Sequence, residues 1–368
     1  MDSSASCGEI FQKKEKNFII KTNYFFQMKR LLIFAFIFVV LVFAGLAVYD
    51  LELGEKGTVS PLVSLSGSLK QSKYASYTFD ALSKKIFPLG KITLTSVMKK
   101  EAKFTSYVFT YQSDGKTISG MANIPNPPAG GGKFPVIVLL RGYADSQNYH
   151  VGLGTERSAN FLAENGFLTL APDFLGYGYS DWEDKDILVA RFYRPVEVLN
   201  LLSAVGSLPS ADSSSMGLWG HSNGGQIALS ILEITGKNYP TVLWAPVSLG
   251  FPECVLTYLG TQEEVGNPVK EKVDEFLINN DPKKYSITEY FDRIKAPFII
   301  HQATTDELIK PEWTKKLAER LKNYGNSVDF YQYPRENHNF NRYEETGDIL
   351  RERDLEFFNK YLKLSGTR

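Results

Sequence analysis

Apolar positions change their spacing three times along this chain, and each change marks a different kind of segment. From Leu31 to Val48 every residue is apolar or Gly, with Lys29-Arg30 before the run and Asp50 and Glu52 after it. At a helical rise these residues reach about 27 Å, close to the hydrocarbon thickness of a bilayer. The run has no polar face, which a buried soluble helix would normally keep. A transmembrane signal anchor is therefore expected over 28–49, with the lipid bilayer as the partner of residues 31–48. The basic flank predicts a cytoplasmic N-terminus and an extracytoplasmic catalytic domain. Small residues at Ala44-Gly45-Leu46-Ala47 offer the alternative of a cleaved signal peptide and a secreted protein. Residues 1–27 are polar and mixed, a cytoplasmic extension that is dispensable if translation starts at Met28. Residues 50–73, rich in Gly, Ser and Lys, read as a linker.

From Tyr74 the period becomes that of strands. Ile92 to Thr95 and Phe104 to Tyr111 alternate, Ser113-Asp114-Gly115-Lys116 supplies a turn, and Ile118 to Ile124 returns as a second arm. This is an antiparallel hairpin. Beyond the Pro- and Gly-rich stretch 125–132, short apolar runs alternate with helical stripes. The runs are Val136–Leu140, Phe167–Ala171, Met216–Trp219, Thr241–Trp244, Phe298–Ile300 and Val328–Tyr333. Unbroken apolar strands of this kind are covered on both faces. Helices are predicted over 157–164, near Pro195, after residue 222, around Trp313 to Tyr324 and around Leu355 to Leu362. The expected fold is α/β, a mostly parallel sheet with helices on both faces, spanning 74–368. A long connection over about 247–295, containing a charged helical piece at 270–279, reads as a lid insertion.

Composition narrows the function. Lys plus Arg and Asp plus Glu both total 41, so no basic excess points to nucleic acid. Cys7 and Cys254 are the only cysteines, and neither belongs to a metal-ligand cluster, so neither a disulfide framework nor a structural metal is expected. The chemistry proposed below calls for no cofactor.

That chemistry centres on Gly220-His221-Ser222-Asn223-Gly224-Gly225, which lies between a predicted strand and a predicted helix. Strand, turn and helix in this order give a nucleophile elbow, in which a tight turn lifts Ser222 out of the sheet edge. A neutral serine needs a base. Of the four histidines, His338 follows the last strand, and it alone satisfies the order serine, acid, histidine. His150 follows the first buried strand, and His301 closes the strand before the acid; both read as structural or pocket-lining. An adjacent side chain in a tight turn is expected to point away from Ser222, which sets His221 aside. Asp306, between a buried strand and the helix opened by Pro311, is the preferred acid. Glu307 is its nearest rival, while Asp329 would lie within the last strand. For the oxyanion hole the expected donors are the Asn223 amide and the Tyr143 amide, with the Tyr143 hydroxyl as an alternative to the latter. Arg141 carries no catalytic role in this scheme.

Taken together, residues 100–364 resemble the α/β-hydrolase fold and, within it, the catalytic domain of the prolyl oligopeptidase family of serine peptidases. The resemblance is carried by Gly220 to Gly225, by Pro172-Asp173 with Gly176-Tyr177-Gly178, by the segment from Thr305-Asp306 to Pro311, and by Asn337-His338-Asn339-Phe340. It implies Ser222, Asp306 and His338 as the triad, with Tyr143 and Asn223 as oxyanion donors. Two departures stand out. Too few residues precede the sheet for the β-propeller that such peptidases often carry, and Arg141-Gly142 stands where His-Gly is usual. The expected substrate is a short peptide, with a small acyl ester as the alternative. A membrane-tethered binding module that retains the fold without activity is a third reading, from a different class.

Overall fold

A helix of six residues, α1 (Phe79–Lys84), precedes the first strands. Strands β1 (Thr93–Lys100), β2 (Phe104–Ser113) and β3 (Lys116–Pro125) then form an antiparallel meander. Ser113 faces Lys116 across a two-residue turn in which Asp114 and Gly115 take φ of 45° and 84°. Both central residues at positive φ are what an Asp-Gly hairpin turn demands, because that twist matches the strands it joins. The hairpin foreseen over 104–124 is therefore present, but β1 lies outside it as the true sheet edge.

The computed structural model describes residues 72–127, 131–260 and 266–362. The extension 1–27, the predicted anchor 28–49 with its apolar run 31–48, and the linker up to residue 71 lie outside them. Among the described residues no helix is long and apolar enough to cross a membrane. Lys73, the last residue of the predicted linker, forms an ion pair with Asp186, and the hydroxyl of Tyr74 after it donates to the same carboxylate at 2.9 Å.

Beyond the meander come β4 (Phe134–Leu140), α2 (Glu156–Glu164), β5 (Leu168–Pro172), α3 (Ile187–Ala204), β6 (Ala211–His221) and α4 (Asn223–Thr235). They are followed by β7 (Thr241–Trp244), α5 (Glu253–Tyr258), α6 (Gly266–Asn279), β8 (Phe298–Ala303), α7 (Pro311–Asn323), β9 (Val328–Tyr333) and α8 (Glu344–Tyr361). The nine strands lie in the order β1-β2-β3-β5-β4-β6-β7-β8-β9. Every pair from β5 through β9 is parallel, and β3 joins β5 antiparallel.

Every residue of β4 is buried, because helices cover both sides of the sheet. On one face Val136, Val138 and Leu140 pack with Val198 and Leu201 of α3, Leu229 of α4 and Leu317 of α7. On the other, Ile137 and Leu139 pack with Leu162 of α2 and with Leu350 and Phe358 of α8. Burying one such side chain contributes about 1.5–3 kcal/mol. The sequence placed the start of α3 near Pro195, but the helix begins eight residues earlier. Asp186 caps it, its carboxylate accepting from the Leu188 and Val189 amides at 3.0 and 3.3 Å. Packing of Leu188, Val198 and Leu201 carries the helix through Pro195 despite the hydrogen bond that the ring removes. The connection over 247–295 is mostly structured: Val255, Val273, Phe276 and Tyr285 pack on Leu188 and Phe192 of α3.

Candidate active site

The turn from β6 into α4 is where the chain is most constrained. Ser222 takes φ 54° and ψ −120°, a region that costs a non-glycine residue on the order of 1–3 kcal/mol. Three backbone bonds hold it there: the Ser222 amide donates to the Trp244 carbonyl at 2.9 Å, and the Ser222 carbonyl accepts from Gly225 and Val247, each at 3.0 Å. The turn also needs glycine for space. A Cβ on Gly224 would lie 1.9 Å from the Leu140 carbonyl oxygen, and one on Gly142 would lie 2.9 Å from the Ser222 Cβ. The loop after β4 thus runs directly against the candidate nucleophile.

The candidate acid and base come from the ends of β8 and β9, which pair in parallel up to Ala303 and Tyr333. Their following loops are stitched together, the Thr305 hydroxyl donating to the Glu336 carbonyl at 2.7 Å and its amide to the same oxygen at 3.3 Å. His338 Nδ1 lies 3.1 and 3.0 Å from the two carboxylate oxygens of Asp306. Asp306 also accepts from the Leu308 and Ile309 amides at 2.9 and 2.8 Å and from the Gln302 side chain at 3.0 Å. Burial alone would push the Asp306 carboxyl up, but the His338 bond and charge together with the two amides hold it below the ordinary carboxylate range. Glu307, its rival, faces elsewhere and accepts from the His338 backbone amide at 3.2 Å. Asp329 is exposed within β9.

Ser222 Oγ forms no hydrogen bond to His338 among the described residues; such bonds are commonly long until substrate is bound. The two loops are joined through His221, whose Nε2 lies 3.0 Å from the His338 carbonyl oxygen and whose ring centroid is 4.8 Å from that of His338. His221 makes no hydrogen bond to Ser222 among the described residues, and its contact with the His338 loop is one that its position in the elbow did not disclose. Burial first, and then the neighbouring His338, pull its pKa down to about 4, so it is neutral near pH 7 and adds no charge beside the base.

Tyr143 and Asn223 line one cavity of about 80 Å³ together with Gly142 and Ile227, so the two predicted oxyanion donors are neighbours. The Tyr143 side chain is 77% exposed. Arg141 braces this loop from behind, donating to the Gly142 carbonyl and to the Asp173 carbonyl, each at 2.8 Å. Its guanidinium lies 4.0 Å from the Tyr177 ring centre and 4.8 Å from that of Tyr149. Asp173 accepts from Ser119 at 2.5 Å and from the Tyr149 hydroxyl at 2.7 Å, which ties the meander to the same loop. Arg141, Tyr149 and Tyr177 escape a motif search because their contacts join elements far apart in the chain.

His301 is removed from the chemistry. It is fully buried, with Nδ1 2.7 Å from the Tyr333 hydroxyl and Nε2 3.0 Å from Asp354, whose other oxygen accepts from Trp219 and Trp244 at 3.1 and 2.9 Å. His150 lines a groove of about 1160 Å³ between α2 and the start of α8, a groove that His221, Asn339 and Phe340 also border. Among the described residues no group of three metal-ligating side chains is present.

A serine on a strained strand-to-helix turn, at the edge of a doubly covered parallel sheet that ends in a carboxylate-bound histidine, is the arrangement of the α/β-hydrolase fold. The chain belongs to the prolyl oligopeptidase family, whose model matches residues 154–365. An uncharacterized 31.7 kDa protein from the traX-finO intergenic region of Escherichia coli is 29% identical over 113 residues, 31% of this chain, and the match spans only 37% of that protein. The uncharacterized peptidase YtmA of Bacillus subtilis is 24% identical over 246 residues, 64% of this chain and 86% of its own. Among solved structures, the acetyl xylan esterase from Paenibacillus sp. R4 superposes with a TM-score of 0.57 at 18% identity, covering 77% of this chain and 92% of its own. At that identity the likeness is one of fold.

Proposed function

We propose that the protein is a serine peptidase acting on short peptides through an acyl-enzyme. The observation that carries this reading is the Asp306–His338 pair, hydrogen-bonded at 3.0 Å, set on the loop that His221 joins to the elbow of Ser222. In the first step Ser222 Oγ bonds to the substrate carbonyl carbon while its proton passes to His338, and Asp306 stabilises the imidazolium. The Asn223 and Tyr143 amides take the charge that develops on the carbonyl oxygen. The bond to the leaving group then breaks, and His338 gives its proton to the departing nitrogen or oxygen. Water attacks the acyl-enzyme by the same route, releasing the acid and restoring Ser222.

Family membership and the likeness to the peptidase YtmA support the peptidase reading. The carboxylesterase reading has its own support in the near full-length superposition on an acetyl xylan esterase. Labelling by a fluorophosphonate probe, present in wild type and absent in Ser222→Ala, tests the chemistry; failure of folded wild type to label would leave a non-catalytic module. Rates on aminoacyl amides and on simple esters separate the two enzymes, and ester turnover without amide cleavage would favour the esterase. The apolar run 31–48 supports tethering of this domain to a membrane, and recovery of the full chain in the soluble fraction would refute it.

A further inference from the structure

Beside the cavity lined by Tyr143 and Asn223, two further spaces adjoin the elbow. The groove bordered by His221, Asn339 and Phe340 is next to the base. The other, of about 40 Å³, is bordered by Arg191, Phe192, Asn223, Gln226, Phe251 and Cys254. The leaving group must receive its proton from His338 and so departs on the groove side. The acyl part, whose carbonyl oxygen would face the Asn223 amide, is thereby directed toward the smaller cavity, which shares Arg194, Asn223 and Ile227 with that of the predicted oxyanion donors. Its volume admits a group of only a few heavy atoms.

The electrostatics of that cavity are unbalanced. Arg194, which also borders it, is engaged by Glu183 at 2.6 Å and by Glu197 at 3.3 Å. The neighbouring Arg141 is enclosed by aromatic rings and donates to two carbonyls. Arg191 has only neutral acceptors: the Gln226 carboxamide oxygen and, at 3.3 Å, the Cys254 sulfur. Among the described residues no carboxylate lies within 4.0 Å of it. Asp306, the acid of the site, is engaged by His338, and Glu253 at the start of α5 is exposed. A half-buried guanidinium held by an amide and a thiol retains donors for a planar anion, and closing the cavity over it without one would be costly.

We infer that Arg191 is a specificity residue that binds a carboxylate carried by the acyl part of the substrate, so that the enzyme cleaves after short acidic residues or at comparable half-esters of dicarboxylic acids. The inference rests on the hydrolase reading above and deepens it. Arg191 reaches the cavity from α3, Gln226 orients it from the first turn of α4, and Cys254 closes the far side from α5. A bidentate guanidinium–carboxylate pair there would fix the acyl chain at one end, while the oxyanion donors fix its carbonyl at the other.

The test compares N-acetyl-glutamyl with N-acetyl-glutaminyl thiobenzyl esters, and the aspartyl with the asparaginyl pair, on the full chain. These substrates are nearly isosteric and report on a peptidase or an esterase alike. Wild type is expected to favour the acidic member of one pair in kcat/KM by about 30-fold, Arg191→Gln to abolish the preference, and Arg191→Lys to keep part of it. Fluorophosphonate labelling of each protein reports a folded, competent site. Should Arg191→Gln fail to label, the wild-type ratio and Arg191→Lys decide. Labelled wild type with equal rates for both members, or a preference that survives Arg191→Gln, overturns the assignment of Arg191 and leaves the hydrolase standing. An unlabelled wild type counts against the hydrolase itself.

Discussion

Among the described residues two histidine–carboxylate pairs share the same 3.0 Å length, and one of them lies beside the elbow that carries the candidate nucleophile. His301 and Asp354 are sealed in the core, where Tyr333 takes the second ring nitrogen and two tryptophans fill the remaining carboxylate oxygen. In His338 the second ring nitrogen is left without a protein hydrogen bond among the described residues, and the ring lies 4.8 Å from that of His221 in the elbow. The carboxylates differ as well. Burial raises Asp354, against the His301 bond and the two indoles, whereas Asp306 is held down by His338 and two backbone amides. A short His–Asp contact is therefore no sign of catalysis; what separates the two is whether the far nitrogen is free and whether the carboxyl is held below or pushed above its ordinary range.

Breaking the reactive pair gives the largest expected effect. Ser222→Ala or His338→Ala should lower kcat by about 10⁶-fold with little change in Tm, while Asp306→Asn, which leaves the base unoriented, should lower it by about 10⁴-fold. Steady-state rates on the preferred substrate check both. Breaking the silent pair should instead reduce stability. His301→Ala strands a buried carboxylate and is expected to cost about 3–5 kcal/mol in denaturant unfolding, with Ser222 labelling preserved below the transition. A comparable loss of labelling at full stability would reverse the roles assigned to the two histidines.

The pairs should also part company with pH. Asp306, depressed in the fold, contributes stability above the ordinary carboxylate range that is lost on acidification; Asp354, raised in the fold, contributes stability at low pH that is lost as pH rises. Asp306→Asn should flatten the acid limb of a Tm–pH curve and Asp354→Asn the opposite limb. The smallest effect belongs to His221. Its ring stays neutral in the fold down to about 4, while the unfolded chain takes up a proton below 6.5, so it withdraws stability as pH falls between those values. His221→Asn should remove that slope and lower kcat by about 10-fold as the His338 loop loosens; an unchanged kcat would deny the strut any role in positioning.

The sequence disclosed the elements because their signals are local. Val136 to Leu140 reads as a strand buried on both faces, and Asp114-Gly115 between two alternating runs reads as a tight turn. The candidates Ser222, Asp306 and His338 could be grouped from the sequence because each follows a strand that ends at the same sheet edge. Between Asp306 and Glu307 the pattern offered order of preference alone; the loop geometry is what turns one carboxylate to the ring and the other to the backbone amide. The start of α3 was misplaced because Pro195 is a strong punctuator, while the cap at Asp186 is a quiet one. The Arg141 brace, the His221 bridge and the Arg191 cavity were out of reach, since each depends on side chains that only the folded sheet and its covering helices bring together. The predicted anchor lies outside the described residues.

The bond from His221 to the His338 carbonyl has a consequence for how this protein should fail when heated. The candidate nucleophile and base occupy separate loops, and in a hydrolase whose base loop can peel away alone, inactivation begins well before the fold is lost. Here the base loop cannot leave without parting from the elbow, which is itself clamped between β4 and β7. The last active molecule and the last folded molecule should therefore disappear at the same temperature.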